Sequence, residues 1–75
     1  MKAVIWTKTT CFYCIEAKKL LEKLSIDYEE RNIDTDWQKK DLLKVVPHAR
    51  TVPQIFIDNK LIGGYTDLVD YVKSL

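Results

Sequence analysis

Apolar positions fall along the chain in short blocks, and their spacing changes from block to block. Ala3-Val4-Ile5-Trp6-Thr7 is a continuous apolar and β-branched run, the pattern of a buried strand. Lys8-Thr9-Thr10 is a polar connection, and Thr10 suits the N-cap of a helix beginning at Cys11. From Cys11 to Leu24 the period becomes helical. Ala17, Leu20, Leu21 and Leu24 form one stripe, and Lys18, Lys19, Glu22 and Lys23 lie opposite. Tyr28 to Ile33 is a strand with poor alternation. Asp34 or Thr35 suits the cap of a second helix, which runs through Trp37 to about Val46 and buries Leu42, Leu43, Val45 and Val46. Pro47 stops it.

Pro53 to Ile57 reads as a third strand. Asp58-Asn59 is the turn, and Lys60-Leu61-Ile62 is the hairpin partner. Gly63-Gly64 breaks that strand. A last helix from about Thr66 to Ser74 carries Leu68, Tyr71, Val72 and Leu75 on one stripe. The order is strand, helix, strand, helix, strand, strand, helix. It predicts an α/β fold: a four-stranded mixed sheet with helices on both faces, in one domain over residues 1–75.

Composition adds mostly exclusions. The chain is 47% hydrophobic and 31% charged with a net charge of +1, which is ordinary for a folded domain and gives no polyanion-binding footprint. No partner nucleic acid or membrane is expected, since no apolar run approaches the ~18 residues of a bilayer span. Met1-Lys2 leads directly into a strand without signal-peptide architecture, so the expected location is the reducing cytoplasm.

The candidate chemistry lies at Cys11-Phe12-Tyr13-Cys14, which holds both cysteines of the chain. A thiol at a helix N-terminus is favoured as an anion, and Lys8 adds a nearby positive charge. Cys14 follows nearly one turn later, close enough to pair with Cys11 and deeper in the fold. Half a zinc site is the competing reading. Zinc needs four ligands and only His48 could join the cysteines, so a site within one chain is disfavoured. Two further places carry open alternatives. Val52-Pro53 is either a turn proline or a cis peptide that exposes the Val52 backbone to a substrate. Gly63-Gly64-Tyr65-Thr66-Asp67 is either a plain turn or a helix start offering N–H groups to a carboxylate, with Asp67 facing an ammonium. His48 reads as a solvated loop residue, and Trp37 and Tyr71 as packing residues.

Three segments together resemble the glutaredoxins of the thioredoxin superfamily. They are Trp6 to Cys14, Arg50-Thr51-Val52-Pro53-Gln54-Ile55-Phe56-Ile57, and Ile62-Gly63-Gly64-Tyr65-Thr66-Asp67-Leu68. The resemblance spans the chain. It implies a thioredoxin-like fold and a glutathione-dependent thiol–disulfide oxidoreductase that reduces protein disulfides and glutathione mixed disulfides. Cys11 would be the nucleophile and Cys14 the resolving thiol. Lys8 and Tyr13 would flank glutathione, Thr51 and Val52 would contact its cysteinyl backbone, and Pro53 would be cis. Thr66 and Asp67 would hold the γ-glutamyl end, with a basic residue of the second helix, Lys40 for example, assisting Lys8. Glutathione is thus the expected co-substrate, disulfide-bearing or glutathionylated proteins the partners, and a monomer the active form, with no permanently bound cofactor.

Departures from the family pattern are Phe12 for Pro, Trp6 for Tyr and Tyr65 for Cys. Phe12 leaves room for an alternative: a dimer holding a [2Fe–2S] cluster through Cys11 and glutathione. A redoxin drawing electrons from thioredoxin reductase and serving ribonucleotide reductase is a third reading. The Gly63-to-Asp67 segment argues against it.

Overall fold

The computed structural model describes residues 1–75. In chain order it contains β1 (Lys2–Thr7), α1 (Phe12–Lys23), β2 (Asp27–Asn32), α2 (Lys39–Val45), β3 (Gln54–Ile57), β4 (Lys60–Gly63) and α3 (Tyr65–Lys73). The four strands form one sheet in the order β2-β1-β3-β4. β1 pairs parallel with β2, antiparallel to β3, and β3 runs antiparallel to β4. This is the predicted mixed sheet. None of its helices is long and apolar enough to cross a membrane.

Period-two alternation divides the central strands between two cores. Ala3 and Ile5 of β1 and Ile55 and Ile57 of β3 face α1 and α3, packing with Ala17, Leu21 and Leu68. Trp6, with Val4 and Phe56 partly buried, faces the other way onto Leu42 and Val46. So α1 and α3 cover one face and α2 the other. β2 lies at the sheet edge with none of its residues buried, which explains its poor alternation.

The hairpin turn behaves as its residues require. Asp58 and Asn59 adopt φ of 50° and 68°, the left-handed pair of a tight two-residue hairpin. Leu24 and Leu75 are corrections: each follows its helix and is exposed, because α1 ends at Lys23 and α3 at Lys73. Val45 is another, since it points to solvent while Leu42 and Val46 are buried.

The start of α2 also differs. It opens at Lys39 with Gln38 as N-cap, not at Asp34 or Thr35. The Asp34 carboxylate is engaged elsewhere: it accepts the Thr9 N–H at 3.0 Å and so ties the loop before Cys11 to the end of β2. Asp41 supplies the helix start instead, accepting the Gln38 N–H at 2.9 Å.

Candidate functional site

α1 begins one residue later than its pattern suggests, because Cys11 and not Thr10 is the N-cap. Cys11 has extended backbone, and its Sγ accepts the Cys14 N–H at 3.1 Å. An N-cap acceptor is normally a side-chain oxygen. Here sulfur takes that position, which aims a helix N–H at Cys11 Sγ and favours negative charge on it when reduced. Cys11 and Cys14 are joined as a disulfide with Cα atoms 5.2 Å apart. Cys14 is buried, whereas Cys11 is partly exposed. Of the two cysteines, Cys11 is therefore the one reached from solvent.

Phe12 and Tyr13 occupy the exposed first turn between the cysteines. Phe12 meets Tyr13 edge-on at 5.4 Å, and Tyr13 stacks on Tyr65 at 5.6 Å. This aromatic strip runs from the helix start to the head of α3.

Across from Cys11 lies Val52-Pro53, whose peptide bond is cis. The Val52 carbonyl oxygen is 3.8 Å from Cys11 Sγ. Gln54 Nε2 donates to the Thr51 carbonyl at 3.0 Å, which steadies the strand entry. At the head of α3, Asp67 Oδ2 accepts the Gly64 N–H at 3.0 Å. Gly63 has φ of +123°, and a Cβ there would strike the Asp67 carboxylate. Only glycine fits that close approach.

These pieces enclose a cavity of about 540 Å³ lined by Tyr13, Thr51, Val52, Pro53, Gln54 and the segment Gly63 to Asp67. Six sequence-predicted residues are therefore brought together: Tyr13, Thr51, Val52, Pro53, Thr66 and Asp67. Lys8 is not among them. It lines an adjoining groove of about 210 Å³ that shares Thr51 and Val52 with the first cavity. The second-helix residue in that groove is Lys39, and Lys40 does not line it. Arg50 lines it too. Lys39 is thus the basic second-helix residue that the sequence leaves unplaced, whereas Arg50 and Tyr65 were missed by sequence reasoning. Arg50 and Tyr65 stand inside the segments that carry the family resemblance, so their positions were the available signal. No three His, Cys, Asp or Glu side chains of the chain cluster in a way that could hold a metal ion.

Comparison with known proteins matches this geometry. The family model described as Glutaredoxin matches residues 3–62. Glutaredoxin 1 of Rickettsia prowazekii (strain Madrid E) is 43% identical over 73 residues, a match covering 95% of this chain and 77% of that protein. The structure of reduced Escherichia coli glutaredoxin, determined by NMR, superposes with a TM-score of 0.85 at 41% identity, covering 99% of this chain and 95% of that one. A crystal structure of a buckwheat glutaredoxin–glutathione complex gives a TM-score of 0.81 at 33% identity, covering 96% of this chain and 68% of the other.

Proposed function

The chain belongs to the glutaredoxin family, and on that premise we propose that it reduces protein disulfides and glutathione mixed disulfides, with glutathione as electron donor. Thiol–disulfide oxidoreduction is the general chemistry, carried by the Cys11–Cys14 pair. The observation that supports the finer reading is the cavity between Tyr13, Val52 and the head of α3, reaching from the Cys11 side to Asp67. A cysteinyl tripeptide with a charged amino end fits such a cleft. The Val52 backbone pairs with its peptide groups, and the Thr66 and Asp67 end takes the α-carboxylate and α-ammonium. Lys8 then faces the far carboxylate. The buckwheat relative was crystallised as a glutathione complex, and this cleft is the corresponding candidate here.

The reaction follows from the placement of the thiols. Reduced Cys11 attacks one sulfur of the substrate, the S–S bond breaks, and the departing thiolate takes the electron pair and then a proton. For a glutathione mixed disulfide, Cys11 keeps the glutathionyl group until a second glutathione attacks it and leaves as glutathione disulfide. For a protein disulfide, Cys14 attacks the Cys11 sulfur, releases the second substrate thiol and closes the internal disulfide. Two glutathione molecules then restore the dithiol.

The test is an activity assay on a glutathionylated peptide with and without glutathione. Catalytic turnover is expected only with glutathione present. Turnover sustained equally by thioredoxin reductase alone would overturn the reading.

A further inference from the structure

The groove beside Cys11 holds more positive charge than one small carboxylate requires. Lys8, Lys39 and Arg50 line it together with Thr51 and Val52. A second cavity of about 390 Å³ continues from Lys39 and Arg50 to His48. Neither cavity has an acidic residue in its lining. Lys8, Lys39 and Arg50 form no ion pair either; the pairs in the chain are Lys18–Glu30, Lys19–Glu16 and Arg31–Glu29. Asp34 and Asp41, on the same stretch, accept backbone N–H groups of Thr9 and Gln38. These unpaired cations give the concave surface a positive field, and an external anion is its electrostatic complement. Spread over two joined cavities, they match a row of carboxylates.

We propose that this groove binds an acidic segment of a protein disulfide substrate, on the carboxyl-terminal side of the cysteine that Cys11 attacks. The proposal rests on the thiol–disulfide reading above and takes its chain direction from the glutathione pose. There the amino end lies at Asp67 and the carboxyl end points to Lys8. A peptide of the same polarity carries the residues after its cysteine across Lys8, Arg50 and Lys39. Val52 lines both cavities, so the reacting sulfur and the acidic segment are engaged at once.

The test uses symmetrical disulfides of single-cysteine peptides that differ only in the three residues after the cysteine: acidic, neutral or basic. Pre-reduced protein, freed of excess reductant, is mixed with each in a single turnover. Cys11 breaks the peptide disulfide, Cys14 releases the second peptide thiol, and two electrons pass without another reductant. Rates are normalised to reduction of the same peptides by a small dithiol. The acidic peptide is expected to react roughly tenfold faster than the basic one at low ionic strength. That ratio should shrink toward one at high salt, and also in the double variant Lys39→Glu, Arg50→Glu. A normalised ratio of one in the unmodified protein, or a ratio insensitive to both salt and the double variant, overturns the proposal. The salt series needs no variant, so a misfolded double variant does not blunt the test. An acid preference in a protein whose deglutathionylation ignores glutathione would sink only the earlier reading. Loss of the preference with glutathione dependence intact would sink only this one.

Discussion

The sulfur of Cys11 caps α1 and, in the proposed function, is also the reacting atom, and the two roles respond differently to substitution. Cys11→Ser keeps a good N-cap acceptor for the Cys14 N–H, so the fold should hold while all thiol chemistry is lost. Cys14→Ser should keep deglutathionylation, since a second glutathione can clear the Cys11 adduct, yet lose dithiol reduction of protein disulfides. Parallel assays on a glutathionylated peptide and a protein disulfide check this pair. Retained deglutathionylation in Cys11→Ser would reverse the assignment. Away from the site, Tyr28 donates its hydroxyl to Glu22 Oε2 at 2.6 Å. That hydrogen bond, then burial and the negative charges of Glu22 and Glu30, push its pKa from 10.0 up to about 12. A raised phenol pKa means the folded state holds the proton more tightly than the unfolded one. The stabilisation is complete below pH 10 and is lost as pH rises toward 12. Because the phenol is partly exposed, the contribution is small. Phenolate absorbance should show one tyrosine ionising last, and Tyr28→Phe should remove that step.

At the scale of elements, the head of α3 carries a structural and a proposed binding role on one carboxylate. Asp67 Oδ2 caps Gly64, and its charge is proposed to meet the ammonium of glutathione. Asp67→Asn keeps an oxygen acceptor and removes the charge. It should leave stability near the original while raising KM for glutathione substrates roughly tenfold. Asp67→Ala should raise KM similarly and also cost about 0.5–1.5 kcal/mol of stability, the worth of the one hydrogen bond it removes. Denaturant midpoints beside kinetics separate the effects; an unchanged KM in both variants removes Asp67 from the site.

What could be read from the sequence follows the same division between local and distant contacts. β1 and β3 were legible because a central strand with two buried faces must place apolar residues on both. β2 was faint because an edge strand is held by backbone pairing and not by its side chains. The start of α2 was misread at Asp34, whose partner is the N–H of Thr9, a contact 25 residues distant that no local rule registers. Thr10 was the obvious cap by residue type, and the structure used a cysteine. The cavity residues in the Thr51-Val52-Pro53 and Gly63-to-Asp67 segments were legible as motifs. Lys39 was legible only as some basic residue of the second helix, because only folding decides which one comes beside Arg50.

For the whole molecule, the two faces of the sheet are unequally held. The α1 and α3 side has a core of eight buried residues, and the α2 side a core of three. α1 buries Cys14, Ala17 and Leu21, whereas the seven-residue α2 buries only Leu42 within its span, with Val46 just beyond. A chain of this length is expected to have a total stability of roughly 4–11 kcal/mol, from about 0.05–0.15 kcal/mol per residue. The α2 layer holds a small share of the burial that underlies it, so it should open on its own before the sheet and α1 unfold. Native-state hydrogen exchange is the measure. The Val46 N–H, bonded to the Leu42 carbonyl at 2.8 Å, should exchange by a local opening insensitive to denaturant. Amides within α1 and β1 should instead follow global unfolding. The opening free energy at Val46 should therefore lie clearly below that of the α1 and β1 amides. Since Lys39 belongs to α2, an acidic peptide seated in the groove should slow exchange at Val46 more than in α1. Equal protection across α2, α1 and β1 in the free protein would show one cooperative unit, and the two-layer account would fail.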